Sequence, residues 1–159
     1  MVKRFRGAAK LTAEFVSSLQ PLKKAGKLGP VLFQLPPFLK CDVPLLREFL
    51  AGLSRHLRAA FEFRNISWFV DEVFEALRKR NVALCLAESE AIQTPPVQTA
   101  DFFDLRLRKD EYSAKSLREQ MQRVADLSRR GEVFVYFKHE ERPKSASRAE
   151  SLLAAIKAG

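Results

Sequence analysis

The feature that most constrains this chain is an alternation of two textures. Short runs rich in β-branched and aromatic residues occur at Pro30 to Leu35 (PVLFQL), Ala59 to Phe63 (AAFEF), Val82 to Ala87 (VALCLA), Asp101 to Leu107 (DFFDLRL) and Val133 to Phe137 (VFVYF). Such runs read as strands. Between them, apolar residues recur three or four apart: Leu46, Phe49, Leu50, Leu53 and Leu57, then Val70, Val73, Phe74 and Leu77, then Leu117, Met121, Val124 and Leu127. That spacing places each set on one face of a helix. Strands separated by helices are joined as parallel strands through right-handed crossovers, so the expected class is α/β with five parallel strands and flanking helices.

The punctuation agrees. Asp42 and Ser67 are expected as helix N-caps, and Asp71, Glu72 and Glu75 near one helix start with Arg78, Lys79 and Arg80 at its end complement the macrodipole. Gly131 ends another helix. A first helix near Thr12 to Leu19 should break before Pro21, and a last one should run from about Ser147 to Ala158.

Composition limits the partners. The 159 residues include 47% apolar and 30% charged residues, which suits one soluble domain with a sizeable core. The net charge is +9, and Met1 to Lys27 holds seven Lys or Arg against Glu14 alone. Such an excess favours anionic partners without naming one. Cys41 and Cys85 stand without CxxC spacing, so neither a disulfide framework nor a zinc site is signalled, and a cytoplasmic setting is expected. No apolar run reaches the length of a signal peptide core or a membrane span, so no membrane partner is expected.

Two architectures fit the alternation: a five-stranded doubly wound sheet, and part of a (β/α) barrel whose full form takes about 250 residues. Length favours the first. Strand chemistry favours the second, because central strands covered on both faces should be almost wholly apolar. Here Asp104, Arg106 and Arg108 fall on one alternating face, as do Glu62 and Arg64.

Four motifs, LGPVLFQLPP (Leu28 to Pro37), FEFRNISW (Phe61 to Trp68), ADFFDLRLR (Ala100 to Arg108) with Tyr112 and Ser113, and VYFKHE (Val135 to Glu140), together resemble the domain of unknown function 72 family, also called YecE-like. The resemblance implies a TIM-like (β/α) barrel whose later strands are the five seen here. Residues 1–159 are then expected to form a single incomplete domain, N-terminally shortened, without counterparts of the early strands, a Gly-Trp segment and a Glu-Asn motif. No established reaction comes with the family.

In such a barrel the strand ends and the loops after them build the site. That rule selects Gln34 after the first strand, and Glu62, Arg64, Asn65 and Trp68 after the second. It selects Glu88 with Ser89 after the third, Arg106, Arg108 and Tyr112 after the fourth, and Tyr136, Lys138 and His139 after the fifth. Glu62, Glu88 and His139 are the expected acid/base groups. Gln34, Arg64, Asn65, Trp68, Arg106, Tyr112, Tyr136 and Lys138 are expected to contact the substrate, with the arginines anchoring a carboxylate or phosphate.

Each residue also has a plainer reading. Glu62 and an arginine form an interior ion pair, Trp68 packs in the core, and Gln34 bonds backbone at a strand end. Glu88 begins a helix or loop, His139 lies in a solvated charged loop, and His56 is a surface residue. Metal binding would need several of Glu62, Glu88 and His139 to converge, which spacing does not establish, and no cofactor is indicated. No glycine-rich phosphate loop, GxSxG elbow or HExxH motif is present. The first functional expectation is a small anionic metabolite bound, or subjected to acid/base chemistry, at the strand ends. The alternatives are a nucleic-acid-binding module using the basic N-terminal segment, and an inactive fragment that self-associates through open sheet edges.

Overall fold

Helix-forming and strand-forming segments alternate along the chain except between the third and fourth strands, where no helix intervenes among the described residues. The computed structural model describes residues 2–88, 92–109, 112–137 and 144–157. In chain order the elements are α1 (Val2–Ser18), α2 (Gln20–Lys24), β1 (Val31–Gln34), α3 (Val43–Gly52), β2 (Ala59–Glu62), a 3-10 turn (Ile66–Trp68) and α4 (Asp71–Arg78). β3 (Ala83–Glu88), β4 (Phe102–Leu107), α5 (Ala114–Ser128), β5 (Glu132–Phe137) and α6 (Lys144–Lys157) follow.

Local chemistry sets several boundaries. The Asp42 carboxylate accepts the Leu45 N–H at 3.0 Å and starts α3, and Pro44 in the first turn lacks only an N–H that would be unpaired anyway. Pro21 occupies the first turn of α2, so the expected break before it is the junction between α1 and α2. Ser67 does not cap a helix. Asn65 does, accepting the Ser67 N–H at 3.1 Å at the start of the 3-10 turn, while α4 begins at Asp71 without a side-chain cap. Past the end of α4, Asn81 adopts φ 52° and exchanges two hydrogen bonds with Asp101, each 2.9 Å, which fixes the entry into β3.

All five strands are parallel, and their spatial order is β1-β2-β3-β4-β5. A doubly wound sheet has a switch point where strand order reverses. The consecutive order here has none, which sets that alternative aside.

Because side chains alternate between faces, the register divides the sheet into two chemically distinct sides. Phe33, Phe61, Phe63, Leu84, Leu86, Phe103 and Leu105 join Leu46, Leu50, Val73, Phe74, Leu77, Val124, Leu127 and Leu152 from the helices in one large core. The other side holds a small cluster of Ala60, Ala83, Cys85, Ala87, Ala100 and Phe102, with Leu32 and Phe134 packed against it and no helical residue among the described ones.

The sheet curls toward that helix-free side. A flat sheet would set β1 and β5 about 19 Å apart. Yet a Cβ placed on Gly29, two residues before β1, would lie 3.7 Å from both the Phe134 ring and the Tyr136 hydroxyl of β5. Arg58, next to β2, likewise reaches across to Glu132 at 2.6 Å, with its guanidinium 5.7 Å from the ring centres of Phe102 and Phe134. Ala60 and Ala83, paired in register between β2 and β3, put only methyl groups on that side.

Candidate functional site

Polar residues enter the helix-free side where the strands end. Register pairs Gln34 with Glu62, Cys85 with Asp104, and Ala87 with Arg106, which in turn lies opposite Tyr136. Period-two alternation therefore brings Glu62, Asp104, Arg106 and Tyr136 to one side.

Glu62 is the centre of the group. Its side chain is 2% exposed, and its two oxygens accept from two different guanidinium groups: Oε2 from Arg106, and Oε1 from Arg108 at 2.8 Å. Arg106 and Arg108, two residues apart on β4 and its extension, converge because their side chains share a face. They remain 27% and 25% exposed. Two guanidinium groups facing one carboxylate leave the trio at net +1. Each guanidinium carries five donors and, among the described residues, commits one to Glu62.

Asp104 and Cys85 lie beside this trio. Asp104 is 2% exposed, and its Oδ1 has no hydrogen-bond partner among the described residues. Burial pushes its carboxyl above the usual aspartate range, and the Glu62 charge adds to the effect, against a hydrogen bond from the Cys85 thiol and the attraction of Arg106. The Cys85 thiol is pushed far up by burial and then by Asp104, so it is not a poised nucleophile. Tyr136, half-exposed, is raised by burial and then by the neighbouring Asp104 and Cys85.

Glu88 belongs to a separate cluster. It pairs in register with Leu107, on the helix-facing parity, and its carboxylate is engaged by Lys109 Nζ at 2.6 Å, the Tyr112 hydroxyl at 3.0 Å and Gln120 Nε2 at 3.4 Å. Tyr112 also accepts the Lys109 backbone N–H at 3.3 Å and stacks beneath the Arg148 guanidinium. Burial pushes its phenol well above the ordinary range. This cluster ties the start of α5 to the end of β3. Glu62 and Glu88 thus do not face one another.

The remaining candidates divide plainly. Trp68, expected to contact the substrate, is 1% exposed, stacks on Phe63 with ring centres 4.8 Å apart, and donates its indole N–H to Leu39 O at 2.8 Å. Asn65 is engaged on both ends of its amide, accepting from Ser67 and donating to Pro37 O at 2.8 Å. Gln34 and Arg64 are exposed at the ends of β1 and β2. Ser89, Lys138 and His139 lie outside the described residues. Among the described residues, no group of three or more His, Cys, Asp or Glu is placed to hold a metal ion. No helix among them is long and apolar enough to cross a membrane.

The sequence reading left Asp104 and Cys85 outside its site. The alternation that singled out Arg106 also carried Asp104, but burial and the thiol partner come only with the fold. A cavity of about 540 Å³ lies elsewhere, between α1 and α3, where it is lined by Thr12, Ala13, Val16, Phe49, Leu53 and Leu57 among others. None of the polar cluster reaches it, so chemistry rather than volume locates the site.

Comparisons with known proteins follow the same architecture. A crystal structure of a DUF72 family protein from Thermotoga maritima matches with a TM-score of 0.80 and 23% identity, over 91% of this chain and 64% of that one. A second, from Enterococcus faecalis, matches with a TM-score of 0.76 and 20% identity, over 90% of this chain and 66% of that one. This chain thus spans less than two thirds of the length of the Thermotoga protein. At these identities the likeness shows the fold alone. No curated protein matches. The family model described as "Protein of unknown function DUF72" matches residues 1–159, and the chain belongs to that family.

Proposed function

We propose that the curled sheet is an arc of a (β/α) barrel and that its C-terminal mouth binds a small anionic metabolite through Arg106 and Arg108. The observation that carries this reading is the convergence of both guanidinium groups on the single buried carboxylate of Glu62. One carboxylate fixes two arginines in place while leaving a net positive charge and several donors at a partly exposed edge. Guanidinium groups fixed in advance bind a carboxylate or phosphate without first losing side-chain freedom. Glu62 acts here as a positioning residue, since both of its oxygens are already committed. Tyr136 and Gln34 share its face and complete the polar surround.

Calorimetric titration of the wild type with acetate and with inorganic phosphate tests the reading. Saturable binding of at least one anion, lost in Arg106→Ala and in Arg108→Ala, is the expected result. Wild-type protein that binds neither anion, with variants that differ only in stability, would end it.

A further inference from the structure

Asp104 is a carboxyl on the helix-free side that the arginines leave largely uncompensated. Arg106 bonds Glu62, and Asp104 Oδ1 is buried without a hydrogen-bond partner among the described residues. Four charged or titratable groups surround it: Glu62 from β2, Cys85 from β3, Arg106 from its own strand and Tyr136 from β5.

We propose that Asp104 sets the charge, and so the ligand preference, of the anion site. With Asp104 neutral, Arg106, Arg108 and Glu62 together carry +1, which matches a singly charged carboxylate or sulfonate. With Asp104 ionised the same four groups sum to zero, and the ionised carboxylate competes with Glu62 for Arg106. The surroundings of Asp104 shift the balance toward the first state relative to a free aspartate. Burial disfavours charge on Asp104, and so does Glu62 beside it, while the Cys85 thiol donates a hydrogen bond that moderates the effect. Cys85 and Tyr136 are both raised, so neither changes charge below the alkaline range. The pairing of two carboxyls in unlike surroundings, one clamped by cations and one dry, is the arrangement by which sites separate the charge states of like groups. Asp104 touches no ligand in this account and is a positioning residue acting through Arg106.

The inference rests on the anion site proposed above, and the test separates the two. Methanesulfonate keeps one charge at every working pH, and its affinity is measured by calorimetry from mildly acidic to mildly alkaline solution. Wild-type affinity should weaken roughly tenfold as Asp104 ionises, as expected for a unit charge added within several ångströms of the ligand. Asp104→Asn should remove that decline. Cys85→Ala should move it to higher pH, because the thiol hydrogen bond that favours the ionised form is gone. If Asp104→Asn does not fold, the direction of the Cys85→Ala shift decides alone. His56→Gln and His139→Gln serve as controls for the two histidines of the chain. A decline that persists in Asp104→Asn, vanishes instead in His56→Gln or His139→Gln, or stays in place in Cys85→Ala would overturn the assignment of Asp104 while leaving the anion site standing. No methanesulfonate binding at any pH would overturn the role given to Asp104, and the anion site falls with it only if acetate and phosphate also fail to bind.

Discussion

At Glu62 both carboxylate oxygens are committed, one to Arg106 and one to Arg108, on a side chain almost wholly removed from water. Substituting Glu62 with Ala leaves two guanidinium groups facing each other without a counter-charge. Loss of one member of such a buried group costs about 3 to 5 kcal/mol, and urea denaturation should show it. Arg108→Ala should cost less, because Arg106 still neutralises Glu62. Asp104 gives a second expectation, in pH. Its folded form holds the proton above the ordinary aspartate pKa of about 3.9, where the unfolded chain has released it. Stability contributed by that difference therefore falls as pH rises from the unfolded value through the raised folded one. Denaturation midpoints of Asp104→Asn followed against pH should lack this fall. Period two made legible that Glu62 shares a face with Arg64 and that Arg106 shares one with Arg108, but not which arginines would meet Glu62. Trp68 and Asn65 were not legible, since their fates depend on Pro37 and Leu39 in a distant loop folding beneath them. Glu88 was misleading in a different way. It ends a strand as Glu62 does, but register gives it the opposite parity.

At the scale of elements, the junction between α5 and β5 shows how closely neighbouring segments approach. A Cβ on Gly131 would stand 2.5 Å from the Asp101 carbonyl oxygen, a backbone atom that cannot swing aside. Gly131→Ala should therefore shift the β4 and β5 entries apart and destabilise by about 1 to 3 kcal/mol, as overpacking does, which thermal unfolding would register. The sequence places Gly131 at the end of a helix, but its closeness to Asp101 is a tertiary fact. Strands were the most legible elements, with β1 to β5 falling within a residue or so of the expected runs, because alternation and β-branched content stop where the sheet stops. The 3-10 turn escaped notice since three residues, Ile66 to Trp68, carry no period. The N-terminal reach of α1 to Val2 was also missed, because its first turns show charge rather than apolar spacing.

For the molecule as a whole, consecutive strand order and the division of the sheet into a helix-covered side and a curled, helix-free side define what the fold can do. Strands β2 and β3 are buried along their full length, whereas β1 and β5 are mostly partly buried and include exposed positions. Native-state hydrogen exchange should accordingly find the slowest amides in β2 and β3 and earlier opening in β1 and β5. The strand content and parallel class were readable from alternation alone. The curl was not, because it depends on Arg58, Phe102 and Phe134 meeting across the sheet. That curl gathers Glu62, Arg106 and Arg108 into one partly exposed cationic edge, and anion capture there is the central claim. It is tested most directly by following the arginine side-chain N–H resonances by NMR while acetate or inorganic phosphate is added. Saturable shifts confined to Arg106 and Arg108, with Arg78 and Arg80 unmoved, are predicted for at least one anion. Shifts spread evenly over all arginines, or none that saturate with either anion, would contradict the account.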